Sequence, residues 1–128
     1  MVQCLVKKGA DKDKVTIHGA SPFFVAAQRG HLAVLRYLLE QGAKKDKTRN
    51  DGATPLYAAA AEGYYDCVKY LLEQGANANQ ATKDGATPFF MAAQDGHLTT
   101  IKCLLEYGAD KDKMTNQGAS PFLSLIHI

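Results

Sequence analysis

The chain has 128 residues, of which 46% are hydrophobic and 22% charged, and its formal net charge is +2. This length and composition predict a single folded domain with a sizeable core, and the small net charge, with bases interspersed among acids, argues against a nucleic-acid partner. No apolar run approaches the roughly 18–20 residues of a membrane span, and no signal-peptide pattern opens the sequence, so we expect no membrane insertion.

The sequence repeats itself at a fixed interval. A Gly-Ala-Ser/Thr-Pro motif opens each copy, at Gly19, Gly52, Gly85 and Gly118. Many positions are identical in the three complete copies, and most others keep their chemical type. The interval divides residues 1–122 into a partial unit, three complete units and a second partial unit: 1–18, 19–51, 52–84, 85–117 and 118–122. A fixed period between about 20 and 50 residues predicts a stacked repeat array.

Each complete unit opens with a short helix. Ser21 is placed to accept backbone N–H groups as the N-cap, and the proline after it suits the first helical position. Thr54 and Thr87 occupy the same place in the next two units. The first of these helices is predicted to run through residues 23–27 and to stop at Gly30.

A second helix follows in each unit and returns antiparallel to the first. Its apolar stripe in the first complete unit consists of Val34, Leu35, Leu38 and Leu39, and it is predicted to end at Gly42. The alternating charges of residues 44–47 then predict an extended, strand-like loop.

Two helices with one apolar stripe each cannot enclose a core alone, so the units must stack. The first helices contain an Ala-Ala pair in every unit, which allows close approach, whereas the second helices contain leucine and tyrosine. Small residues on one side and large residues on the other predict a curved stack with a concave face.

The length of the repeat and the pattern G-x-[ST]-P-…-G-H-…-L-L-E-x-G-A resemble the ankyrin repeat family. The resemblance covers residues 1–122. It implies an all-α fold, an ankyrin-repeat solenoid of stacked helix-turn-helix units joined by β-hairpin-like loops, here called fingers.

Three sets of residues depart from the family's pattern. Its histidine after Thr-Pro-Leu is replaced by Phe24, Tyr57 and Phe90. Its fingertip aspartate is replaced by Thr16, Arg49, Thr82 and Thr115. The loop valine is replaced by Lys12, Lys45, Ala78 and Lys111. We expect these changes to weaken local hydrogen bonding without disturbing the apolar stripes.

Histidines and cysteines offer little chemistry in this pattern. His31 and His97 are equivalent positions two repeats apart. At ordinary helix spacing roughly 20 Å separates them, so they cannot share a metal. The resemblance implies a structural role for this position, which Tyr64 occupies in the middle unit. Cys4, Cys67 and Cys103 form no CxxC pair, leave one cysteine over, and are interpreted as reduced core residues of an intracellular protein, cytoplasmic or nuclear.

Neither a catalytic motif, nor a phosphate-binding loop, nor a metal-ligand spacing is present. We therefore expect no enzyme activity, no cofactor, no metal and no small-molecule substrate. The Asp-Lys-Asp-Lys runs at 11–14 and 110–113, echoed at 45–47, have two interpretations. They form ion pairs between neighbouring fingers, or they form a lysine stripe for an acidic partner, which residues 77–80 interrupt.

The resemblance also implies a protein-binding surface of finger tips and exposed ends of first helices. The finger positions are Ile17, His18, Asn50, Asp51, Lys83, Asp84, Asn116 and Gln117, with the alanines Ala20, Ala53 and Ala86 nearby. The helix-end positions are Gln28, Arg29, Ala61, Glu62, Gln94 and Asp95. For His18, partner contact and simple solvation stay open. After Arg29 the charges lean acidic, which favours a polar or basic partner segment.

Two functions are compatible with this surface. One is a protein–protein interaction module, a scaffold or adaptor, within a larger intracellular protein. The other is the targeting segment of a larger enzyme, such as a kinase, protease or acyltransferase, which the flanking coding sequence would reveal. The resemblance further implies that Asn79 is a candidate substrate of an asparaginyl hydroxylase, where the other units have Asp13, Asp46 and Asp112.

Residues 123–128 break the repeat abruptly after Phe122. The repeat requires two alanines at 125 and 126, whereas Leu125 and Ile126 would overpack that position. The hexapeptide is also the translation of CTG TCT CTT ATA CAC ATC, which resembles a transposon end used in sequencing libraries. We therefore expect a non-native tail rather than a natural capping helix; native codons running on to a stop codon would contradict this.

Overall fold

The computed structural model describes residues 19–110, so Cys4, Ile17, His18, Asn116, Gln117 and the tail at 123–128 lie outside the described residues. Within this range each unit forms two helices: α1 (Pro22–Gln28) and α2 (Leu32–Glu40), α3 (Pro55–Glu62) and α4 (Tyr65–Glu73), α5 (Pro88–Gln94) and α6 (Leu98–Glu106). Residues 19–110 contain no strand. The predicted all-α stack is confirmed.

The helix starts form as the sequence predicts. The Ser21 hydroxyl accepts a hydrogen bond from the Phe24 N–H at 3.1 Å, and Thr54 accepts one from Tyr57 at 3.0 Å. Thr87 repeats the cap in the third unit. In all three, proline occupies the first turn, where a missing N–H removes no helical bond.

The charged loop after α2 is not extended, and that prediction is wrong. Residues 45–46 form a turn, as do residues 78–79 in the next unit. A turn does not alternate side chains between two faces as an extended strand does. An ion pair does form close by, but it joins Arg49 to Asp51 within one finger.

A large apolar core runs through the stack, and a smaller cluster of Ala20, Phe24, Ala53 and Ala58 lies apart from it. The large core contains the first leucine of each Leu-Leu pair, all fully buried, at Leu38, Leu71 and Leu104. The Ala-Ala pairs of the first helices are buried too. First helices of neighbouring units contact each other more extensively than second helices do, as the alanine pairs predict.

Neighbouring units also interlock at the end of each first helix. The ring of Tyr64 lies against Gly30 of the preceding unit, and the ring of His97 lies against Gly63 in the same way. His97 Nε2 donates a hydrogen bond to the Ala61 carbonyl oxygen at 3.1 Å, because a carbonyl can only accept. The structural role predicted for His97 is confirmed.

The two described cysteines are buried, as predicted, and are not disulfide-bonded. Burial raises the pKa of Cys67 from 9.0 to about 11, with Asp66 adding to the effect. Burial raises the pKa of Cys103 as well. Neither thiol therefore has the lowered pKa of a reactive cysteine.

We expect Cys67 to resist alkylation by iodoacetamide at pH 8 until urea unfolds the chain. A thiol whose pKa lies near 11 rather than 9.0 holds about a hundredfold less thiolate than in the unfolded chain. Since the folded pKa exceeds the unfolded one, the free energy of unfolding is unaffected by this thiol below pH 9 and falls as the pH rises from 9 toward 11. Peptide mapping by mass spectrometry gives the rate at each cysteine, and equal Cys67 rates with and without urea would contradict the assignment.

Candidate protein-binding surface

The finger between one unit and the next is a tight turn closed by a backbone hydrogen bond. The Arg49 N–H donates to the Ala53 carbonyl at 2.8 Å, and Thr82 donates to Ala86 at 2.9 Å. The predicted contact residues occupy the turns, where Asn50, Asp51, Lys83 and Asp84 are all exposed. The two fingers are joined directly, since the Lys83 N–H donates to the Asp51 carbonyl at 2.9 Å.

The predicted positions at the first-helix ends form a second row. Arg29, Glu62, Gln94 and Asp95 are exposed, while Gln28 and Ala61 are half-buried. The first helices pack side by side, so equivalent positions recur at the spacing of the stack. The structure therefore leaves both rows accessible over a packed core.

The first finger is organised by Arg49, which in the sequence is only a departure from the family pattern. Arg49 binds Asp51 through two hydrogen bonds, of 2.7 Å and 3.1 Å. Its guanidinium also lies over the Phe24 ring, 5.1 Å from the centroid. The hydrogen bond from Arg49 holds the pKa of Asp51 below its usual range.

Asp51 is consequently a structural residue as well as a predicted contact residue. Besides binding Arg49, its carboxylate accepts a hydrogen bond from the Ala53 N–H at 3.1 Å. In the second finger, Thr82 Oγ1 accepts the equivalent bond from Ala86 at 3.3 Å. Arg49 and Thr82, which stand where the family has its fingertip aspartate, therefore both form side-chain hydrogen bonds.

Tyr57 is a surface residue that the sequence did not indicate as a contact. It is half-buried, whereas Phe24 at the same position of the preceding unit is fully buried. Burial raises the pKa of the Tyr57 phenol, the carboxylates of Asp51, Asp84 and Asp95 raise it further, and Arg49 lowers it. These carboxylates come from two fingers and one helix end, so Tyr57 can be recognised as a candidate contact residue only from the three-dimensional structure.

The Asn79 side chain links two units. Its Nδ2 donates to the Gly108 carbonyl at 3.1 Å, and its Oδ1 accepts from the Asp110 N–H at 2.6 Å. Asn79 as a hydroxylation site stays a prediction. Because both ends of the amide are bonded, a hydroxylase would reach this side chain only after the loop opens.

The lysine-rich loop of the first unit lines an open depression together with Leu39. Lys44 and Asp46 are exposed there, and Lys45 and Lys47 are half-buried. In the middle unit Ala78 occupies the place of Lys45 and is buried. A lysine stripe is therefore interrupted in the middle unit, as the sequence indicates.

No group of three or more His, Cys, Asp or Glu side chains between residues 19 and 110 is arranged to hold a metal ion. Over the same residues, no helix has the length and apolar character needed to cross a membrane.

Comparison with known families gives two matches. The family model described as ankyrin repeats in three copies matches residues 1–82, and the model of a single ankyrin repeat matches residues 84–116. No curated protein matches the chain.

Proposed function

Since this chain belongs to the ankyrin repeat family, we propose that it is a protein–protein interaction module of a larger intracellular protein, acting as a scaffold or adaptor. Ankyrin repeats generally bind other proteins and are typically non-catalytic. The partner contacts the finger tips and the exposed ends of the first helices. The proposal includes no enzyme activity, cofactor, metal or nucleic-acid partner.

One observation supports this surface above the others. At each first-helix end an exposed position lies two residues after a buried Ala-Ala pair, so the surface can vary while the core stays the same. Arg29, Glu62 and Asp95 are equivalent positions with different charges, yet the neighbouring Ala-Ala pairs are identical and buried. A rigid backbone with a changeable row of side chains suits recognition, because binding then requires little ordering of the protein.

Charge reversal at the first-helix ends is expected to weaken partner binding. We expect R29E, E62K and D95K together to lower affinity about tenfold or more, since a mispaired charge inside an interface is unfavourable. The partner would be a protein selected from a display library with the wild-type chain as bait. Isothermal titration calorimetry gives the dissociation constants.

The control reverses charges on the second helices, with R36E, K69E and K102E. These side chains are exposed too, but they lie on the helices that the proposal places away from the partner. We expect less than a twofold change from this triple variant. Equal losses from both sets would show that the partner does not bind at the first-helix ends.

A further inference from the structure

The first complete unit contains a bound guanidinium supplied by the chain itself. Arg49 lies over the Phe24 ring at 5.1 Å from its centroid and pairs with both oxygens of Asp51. An aromatic face attracts a cation, and a planar guanidinium fits a carboxylate through two parallel hydrogen bonds. The three residues thus define an arginine-binding arrangement of ring, cation and acid.

The second unit repeats the ring and the acid but not the cation. One repeat further along the chain, Phe24 corresponds to Tyr57, Asp51 to Asp84 and Arg49 to Thr82. Asp84 is exposed and Tyr57 is half-buried. Phe24, which lies beneath Arg49, is fully buried. The middle unit therefore presents a ring and a carboxylate in the register of the first unit, with a short neutral side chain at the position of the guanidinium.

Two further observations indicate that the middle unit attracts a cation. The carboxylates of Asp51, Asp84 and Asp95 raise the pKa of the Tyr57 phenol, and the guanidinium of Arg49 lowers it. Because Arg49 is paired with Asp51, Asp84 and Asp95, at the end of α5, supply the remaining negative charge around the ring. The third unit lacks the arrangement in its sequence, since Gln117 stands where Asp51 and Asp84 stand. Among the three complete units, only the middle one combines a ring and an acid without its own arginine.

We propose that the Tyr57 ring and the Asp84 carboxylate bind an arginine side chain of the partner protein, in the position that Arg49 occupies in the preceding unit. This inference rests on the proposed function and specifies the partner's chemistry at that surface. Arginine is favoured over lysine because its planar guanidinium stacks on a ring while pairing with a carboxylate through two bonds. Asp95 adds a second negative charge beside the bound cation.

The substitution T82R tests the inference by supplying the guanidinium from the chain itself. The variant should fold, because Arg49 is accommodated at the same position one unit earlier. Thr82 now accepts the Ala86 N–H bond, and Asp84 can accept it instead, as Asp51 does for Ala53. In a crystal structure of T82R, we expect the new guanidinium to lie within about 6 Å of the Tyr57 ring centroid.

A binding experiment uses N-acetylarginine methylamide as the probe and the whole chain as the target. We expect the probe to shift the NMR signals of the Tyr57 ring and of the residue 82–84 amides. The response should fall about tenfold in T82R, which occupies the site, and severalfold in D84N. The control T99R adds the same charge at an exposed position of α6 and should leave the response unchanged.

The outcomes separate this inference from the proposed function. It is supported if N-acetylarginine methylamide acts at Tyr57 more strongly than the lysine analogue and T82R abolishes the effect. It is wrong if T82R and T99R behave alike, or if the guanidinium of T82R points away from the ring. A selected partner that responds to the first-helix charge reversals but not to T82R would leave the interaction surface intact and remove the arginine site alone.

Discussion

Replacing Leu71 with alanine is expected to lower the free energy of unfolding by about 2–5 kcal/mol, the usual range for a leucine removed from a packed core. Leu71 lies on α4 and is fully buried. It belongs to the core cluster that includes residues of all three described units. The cavity therefore opens in the middle of the stack, where neither neighbouring unit can fill it without moving.

The effect should extend beyond α4. In a repeat array, stability is roughly the sum of each unit and its interfaces with its neighbours. Loss of Leu71 weakens the contacts of α4 with both α2 and α6. Hydrogen exchange should show faster opening of all three second helices, and urea melts give the change in free energy.

Leu98→Ala is the matched control, since it removes the same atoms from a side chain that is 62% exposed. We expect it to change the free energy of unfolding by less than about 0.5 kcal/mol, as for surface substitutions generally. A loss below half a kcal/mol for Leu71→Ala, equal to that of the control, would contradict the continuous core.

The helices and their ends were predictable from the sequence because they depend on local chemistry. Ser21 caps α1 by accepting a hydrogen bond from the residue three positions on. Gly30 adopts a positive φ of 73°, which is common at a helix end. Both effects act within one turn of chain. The stacking of the units could then be predicted from the repeat period, since the period shows which positions are equivalent in neighbouring units.

The candidate site was harder to predict because it depends on contacts between distant positions. Arg49 and Phe24 lie near opposite ends of one repeat, and the carboxylates near Tyr57 come from two different fingers and a helix end. Nothing in the local pattern of Arg49 indicates an aromatic neighbour. For residues 44–47 the local pattern gave a wrong prediction: the alternating charges are strand-like, but the backbone makes a turn there.

Gly63→Ala is expected to destabilise the chain by about 2–5 kcal/mol, the sum of a backbone cost and a packing cost. Gly63 caps α3 with φ of 77°, a left-handed conformation in which a Cβ costs about 1–2 kcal/mol. A Cβ there would also lie 2.5 Å from Nδ1 of His97 in the next unit. Displacing that ring disturbs its hydrogen bond to Ala61, and overpacking of this kind typically costs about 1–3 kcal/mol.

Gly108→Ala separates the two causes, because Gly108 has a similar φ of 87° but no atom within 4 Å of its added Cβ. We expect it to cost only the backbone term of about 1–2 kcal/mol. The excess for Gly63 belongs to the interface between units, so a second substitution, His97→Ala, should remove it in a double-mutant cycle. If urea melts give both glycine variants the same loss, the fit of the His97 ring over Gly63 does not help to hold neighbouring units together.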